Sequence, residues 1–353
     1  MGNFTILSLS GGDYMGLYTA HVLAALEARS GKPLRESFDL VAGTSIGGII
    51  GLTIARGIPM AQLVERFEAR GVEIFSGRPP PDGFASTARD MLRFLTGSKY
   101  SNAALRSTIL EMIDGDILLG DLEARYIAPT VNLTRGKPMT FRTPHLKHHS
   151  NSAHIRAIDV ALATSAAPTI LPLVEIGGEY YCDGGIYANS PDHIAMHEAE
   201  SLIGIDPDTV SMLSIGTTSA AYEFPTPKSP SFGLREWLDE RRIIRMALAT
   251  QQQSAHRILQ HRLGERYLRL DAVQGPDHTP CLGLDVATPE ARHILRSLAG
   301  DTAHSLEDVA GLDSILAHCA PRPSFYETPA SPEPDPVTTD AKVTGLLGGR
   351  FRE

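Results

Sequence analysis

Cysteine is scarce in this chain: Cys182, Cys281 and Cys319 are the whole complement of 353 residues. An odd number at wide spacing excludes a disulfide scaffold and a cysteine-built zinc cluster, and a reducing compartment is the simplest setting. Positive charge is also short. Thirty-two Lys and Arg stand against 41 Asp and Glu, a net charge of −9. General attraction to nucleic-acid polymers or anionic lipid is therefore not expected, although a local basic face stays open. Long apolar runs are missing too. The longest uncharged stretch, Leu40 to Ala55, is broken by glycines and falls short of the ~18 apolar residues of a spanning helix. No basic flank precedes the short apolar run at the N-terminus, so no secretory signal is read, and Ile6 stands where a myristoylation signal wants Ser or Thr. A soluble, cytoplasmic protein is expected, one that reaches any membrane from outside it. With 42 % hydrophobic and 21 % charged residues, the chain is neither disordered, collagen-like nor coiled-coil. Its length predicts one large domain or two small ones.

What is present alternates. Phe4 to Leu9 reads as an apolar strand ended by Ser10-Gly11-Gly12, and Leu17 to Ala28 has helical spacing with Ser30-Gly31 as its stop. Phe38 to Ala42 is a second strand, turned by Gly43-Thr44-Ser45-Ile46-Gly47 into an apolar helix from Ile49 onward. Strand, glycine turn, helix, repeated, opens an α/β fold with a parallel sheet. Further strands are predicted at Arg125–Leu133, Met139–Arg142, Glu179–Cys182 and Val210–Ile215. Ser76–Gly97 reads as an insertion or lid, Tyr222–Phe232 as a Pro-rich loop, and Leu234–Gln260 as a long helical region. From Pro321 the Pro and acid content predicts an extended or disordered tail.

Three turns carry chemistry. Gly43-Thr44-Ser45-Ile46-Gly47 is a G-x-S-x-G pentapeptide between strand and helix, the context of a nucleophile elbow; a plain turn with a capping serine has the same letters. Ser10-Gly11-Gly12-Asp13-Tyr14-Met15-Gly16 fits either a damaged dinucleotide fingerprint or an oxyanion cradle. Asp13 would set a carboxylate where a pyrophosphate sits, which favours the cradle. Cys182-Asp183-Gly184-Gly185 puts an acid at a strand end, as an ordinary Asp-Gly turn also would. A Ser-Asp-His triad drawing on His193 or His256 stays open as a competing arrangement, and the segment with His145, His148, His149 and His154 reads as solvated surface. Arg235, Arg241, Arg242, Arg245, Arg257, Arg262, Arg266 and Arg269 make one stretch net basic, either as a solvated face with local ion pairs or as a phosphate-binding face.

Taken in order, Gly11-Gly12…Gly16, Gly43–Gly47, Ala163–Pro168 (ATSAAP) and Asp183-Gly184-Gly185 resemble the motifs of patatin-like phospholipases from about Phe4 to Gly216. The resemblance implies a three-layer α/β fold with a mainly parallel central sheet flanked by helices. Residues 4–217 would be the catalytic core, 218–320 a helical C-terminal part of the same domain, and 321–353 a flexible tail. It implies Ser45 as nucleophile and Asp183 as its base without a histidine. Gly11, Gly12, Asp13 and Gly16 would form the oxyanion loop, Gly43 and Gly47 the elbow glycines, and Gly184 and Gly185 the acid's motif; no metal or other cofactor is implied. The family usually has glycine where Asp13 stands and Arg or Lys where Met15 stands. A carboxylate ~5 Å from an oxyanion would cost up to ~3 kcal/mol at an effective dielectric of 20, so the side chain is expected to turn away or activity to wait on a rearrangement. The whole-chain layout is also similar to bacterial antiphage effectors that a cyclic dinucleotide, cyclic GMP-AMP, switches on to degrade membrane phospholipid. No motif here reads as a known nucleotide site; Arg241, Arg242 and Arg245 of the basic stretch are the candidate ligand-binding residues. A constitutive lipase, a silent ligand-binding scaffold and a homo-oligomer all stay open.

Overall fold

In the computed structural model, residues 3–75, 102–220, 242–275, 277–278, 281–282 and 286–326 are described. The segment expected as a lid, the Pro-rich loop Tyr222–Phe232 and residues 327–353 of the tail lie outside the described residues. The strands are β1 (Phe4–Leu9), β2 (Leu40–Gly43), β3 (Arg125–Asn132), β4 (Lys137–Arg142), β5 (Val174–Ile176), β6 (Glu179–Asp183), β7 (Val210–Ile215), β8 (Ser219–Ala220), β9 (Tyr267–Leu270) and β10 (Val273–Gln274). The helices are α1 (Gly16–Ser30), α2 (Ile46–Arg56), α3 (Met60–Phe75), α4 (Asn102–Met112), α5 (Ala157–Thr164), α6 (Gly185–Ala188), α7 (Asp192–His197), α8 (Arg242–Leu263), α9 (Pro289–Ser305) and α10 (Leu312–Ala317).

The main sheet runs β5-β6-β3-β2-β1-β7-β9, with β4 added on β3. Pairings from β3 through β2, β1 and β7 to β9 are all parallel, whereas β6 and β4 meet β3 antiparallel and β5 meets β6 antiparallel. β1 lies inside this sheet between β2 and β7, and every one of its residues is buried. That is the burial pattern of a strand with helices on both faces. Alternate side chains feed two cores. Leu7 and Leu9 pack with α1, α2 and α5 on one face, while Phe4 and Ile6 pack with Met196, Leu259 and Leu263 of α7 and α8 on the other. The result is the three-layer α/β architecture.

Local chemistry sets the ends of the elements. Gly31 and Gly57 stop α1 and α2 with positive φ of 66° and 86°, a region glycine enters without steric cost. β9, which sequence pattern does not reveal, joins β7 in parallel, so the main sheet draws strands from both sides of residue 217. At the start of the Pro-rich tail, Tyr326 donates its N–H to Pro144 O at 2.7 Å and Phe325 packs on the core, so residues 321–326 are held against the body.

Candidate active site

The elbow after β2 is built by exclusion. A Cβ on Gly43 would sit 2.1 Å from Gly47 O, and one on Gly47 would sit 2.4 Å from Leu9 O, both backbone atoms that cannot yield. Between them Ser45 takes φ 54° and ψ −125°, a strained conformation for a residue with a side chain. Its backbone N–H is held by Thr164 Oγ1 at 3.1 Å, and Thr164 in turn donates to Pro129 O at 2.7 Å. The Ala163–Pro168 block is thus a brace for the elbow; Ala166 O also takes the Asp183 N–H at 3.1 Å.

Asp183 ends β6 and lines the same cavity as Ser45. The Gly185 N–H donates to Asp183 Oδ1 at 2.6 Å, and Gly184 passes so close to Pro129 O that a Cβ would sit 2.2 Å from it. Burial pushes the Asp183 carboxyl up to about 7, with the Gly185 N–H and the Ser45 hydroxyl pulling the other way. An acid that gives up its proton near neutrality is a far better base than an ordinary aspartate.

The turn after β1 supplies the third part. Its glycines are close-packing sites: a Cβ on Gly11 would strike Asn189 Oδ1 at 2.5 Å, on Gly12 Thr217 Oγ1 at 2.2 Å, and on Gly16 Ile46 Cγ1 at 2.3 Å. Not all of their amides are free to face an oxyanion. Gly11 donates to Asn189 O at 2.8 Å, and the Gly16 N–H caps the short 3-10 turn Asp13–Met15 through Asp13 O and Tyr14 O. This corrects the expectation of a cradle along the whole loop. Gly12 lines the cavity and its N–H meets no acceptor among the described residues, which leaves it a candidate oxyanion donor. Asp13 adopts φ 49°, a left-handed angle that Asp tolerates better than most residues, and the residue lines the cavity beside Ser45. Met15 is packed, with its sulfur 3.6 Å from Thr218 Oγ1 and 3.5 Å from Gln274 Nε2.

These three turns open on a cavity of about 380 Å³ whose other walls are Ala167, Pro168, Ile170, Ile186 and, from α8, Ile243, Ile244, Ala247 and Leu248. No histidine lines it among the described residues. His256 lies elsewhere, 3.0 Å from Ser190 Oγ and 3.6 Å from Asp192, and burial with the nearby Arg269 pushes it down to about 4. His193 is also held low by burial. Neither completes a triad. The histidine-rich segment is not wholly solvated either: His145 is buried, its Nε2 3.0 Å from the buried Glu198, which Arg142 also holds at 2.9 Å. Of the basic stretch, Arg241 lies outside the described residues, and Arg242 and Arg245 belong to the first turn of α8 with side chains outside the description. Arg262 pairs with Glu200, Arg266 with Asp208, and Arg269 is buried against Asp271, which is the local ion-pair reading for those three. Sequence reasoning missed Gln251 of α8, because a glutamine inside a helix carries no motif.

A family model described as patatin-like phospholipase matches residues 7–196. A cGAMP-activated phospholipase from Pseudomonas aeruginosa is 32% identical over 334 residues, covering 94% of this chain and 97% of the relative. Proteins of the same name from Vibrio cholerae and Escherichia coli are 35% and 30% identical, covering 70% and 80% of this chain and 74% and 84% of theirs. With the model spanning more than half the sequence and a relative matched almost end to end, this chain belongs to the patatin-like phospholipase family.

Proposed function

We propose that this enzyme hydrolyses the carboxylic esters of membrane phospholipids with Ser45 as nucleophile and Asp183 as the base, and that a cyclic dinucleotide switches it on. The observation that carries the catalytic half is that Ser45 and a buried, weakly acidic Asp183 line one apolar cavity. Ser45 Oγ attacks the ester carbonyl carbon while its proton passes to Asp183. The carbonyl oxygen becomes an oxyanion facing the Gly12 N–H, and each such donor contributes about 3 kcal/mol in related chemistry. Asp183 then returns the proton to the departing alkoxide, and the lysophospholipid leaves. Water attacks the acyl-serine and loses a proton to Asp183. The fatty acid leaves, and the proton goes back to Ser45.

The cavity accepts an acyl chain because its walls are Ile, Ala, Leu and Pro side chains, and Ile186, Ile243 and Ile244 are half-exposed at the same walls. No helix among the described residues is long and apolar enough to cross a membrane, in keeping with an enzyme that works on the bilayer from its surface. The activation half rests on three relatives whose name is cGAMP-activated phospholipase. The test is product analysis on mixed phospholipid vesicles with and without cyclic GMP-AMP, with Ser45→Ala as blank. Fatty acid release that needs both Ser45 and the nucleotide is expected. Equal release without nucleotide leaves a constitutive lipase, and a Ser45 that resists a fluorophosphonate probe in both conditions leaves a binding scaffold.

A further inference from the structure

The catalytic turns are not self-supporting. α6 is a single turn between the acid's motif and Asn189, and its carbonyls have no helix to continue into. One side chain from far along the chain closes it. Gln251, in the middle of α8, accepts the Asn189 N–H on Oε1 at 2.5 Å, and its Nε2 donates to Gly185 O at 3.3 Å and to Ile186 O at 3.1 Å. Both the oxygen and the nitrogen of this amide are therefore bonded within the segment 184–189. That segment touches both reacting elements. At one end the Gly185 N–H holds the Asp183 carboxylate at 2.6 Å. At the other, Asn189 O takes the Gly11 N–H at 2.8 Å and Asn189 Nδ2 donates to Gly11 O at 3.3 Å, which sets the turn that presents Gly12.

We infer that Gln251 is a positioning residue for the hydrolysis, a clasp by which α8 holds the acid turn and the oxyanion turn in register. It lies outside residues 7–196, the part that the family model matches. The inference rests on the reading of Ser45 and Asp183 as the reacting pair. Its consequence is that substrate wall and catalytic geometry are set by one helix, because Ile243, Ile244, Ala247 and Leu248 of α8 also line the cavity. A ligand that reseats α8 acts on both at once.

The test uses the full chain and a soluble ester, p-nitrophenyl butyrate, with and without cyclic GMP-AMP. Gln251→Met keeps the side chain's length and removes its three bonds; Gln253→Ala, at an exposed position of the same helix, is the control. Misplacement of reacting groups by about 1 Å costs on the order of 10²-fold in turnover, so kcat is expected to fall by up to about that factor in Gln251→Met with KM within about twofold. Amide hydrogen exchange supplies a readout that needs no turnover: exchange across residues 185–190 should quicken about tenfold or more, while β1 and β7 stay protected. Unchanged exchange in that segment, or a kcat equal to wild type, overturns the inference. Activity surviving in Ser45→Ala would instead sink the catalytic reading, whatever Gln251 does.

Discussion

Two buried aspartates flank the turn after β1, and their surroundings give them opposite characters. Asp183, at the cavity floor, has one backbone N–H and one serine hydroxyl for company, and burial wins: its carboxyl rises to about 7. Asp192, in the pocket behind β1 and β7, meets the same burial but is held below the ordinary carboxylate range. Ser8 donates to it at 2.5 Å, Tyr267 at 2.6 Å and Ser214 at 2.9 Å, and the buried Arg269 guanidinium reaches it through the Ser214 hydroxyl at 2.8 Å. His256 beside it, pushed down to about 4, is a neutral ring near pH 7, so Arg269 is the compensating charge. The first acid is left undersolvated, the character that its proposed part as base requires. The second is saturated with donors and becomes a structural pin, because hydrogen bonds and a fixed cation lower a buried acid's pKa as surely as desolvation raises it.

The contrast breaks most sharply at Asp183. Asp183→Asn should lower ester turnover by about 10³- to 10⁴-fold, the upper range of a general base's contribution, measured under the conditions that activate the wild type. The same variant should gain stability. Asp183 holds its proton to higher pH in the folded chain than in the unfolded one. Between about pH 4 and pH 7 the folded state therefore binds more protons, and stability falls as pH rises through that window. A shift of about three units corresponds to roughly 4 kcal/mol at pH 8, so Asp183→Asn should melt higher than wild type at pH 8, with the gap closing near pH 4. Wild-type kcat/KM should climb about tenfold per pH unit below 7 and level off above it. A rate that stays flat from pH 5 to pH 8 would refute the base assignment.

The next largest effect belongs to the pin. Asp192→Asn strips the carboxylate from a buried, donor-rich pocket and leaves Arg269 with Asp271 alone, which should cost on the order of 3 kcal/mol in denaturant unfolding. In sign this is the reverse of Asp183→Asn. The smallest effect is expected at the turn between them. Asp13→Gly removes a carboxylate from the cavity wall at a left-handed position that glycine also takes, so esterase turnover should hold or rise and stability should change by less than about 1 kcal/mol. A large loss of rate would give the Asp13 carboxylate a positive part in the reaction.

Much of the site was legible because its turns are defined by short-range sterics. Gly43 and Gly47 leave no space for a Cβ, and Ser45 between them is forced to φ 54°, so the letters and the geometry are nearly the same statement. Gly184 is compelled in the same way by Pro129. Other features depend on partners far along the chain. His145 reads as a loop histidine in a polar segment, but Glu198 and Arg142 bury it in an ion-pair cluster. Gly11 and Gly16 read as oxyanion donors, and only the docking of Asn189 and the curl of the 3-10 turn show that their amides are committed. β9 carries Arg269 and follows directly on a basic helical stretch, and it becomes a strand through its parallel pairing with β7.

By itself the sequence determined the order of strand, glycine turn and helix, the hydroxyl and the acid that head two of those turns, and the residues that only glycine can be. It could do so because backbone sterics act over a few neighbours and leave their mark in local letters. Tertiary structure alone decided how acidic Asp183 is, that the Gly11 and Gly16 amides are committed elsewhere, and that a glutamine some sixty residues beyond the acid's motif bonds the segment between the two turns. Desolvation and hydrogen-bond supply are sums over whatever the fold brings near, and no window of sequence contains those sums.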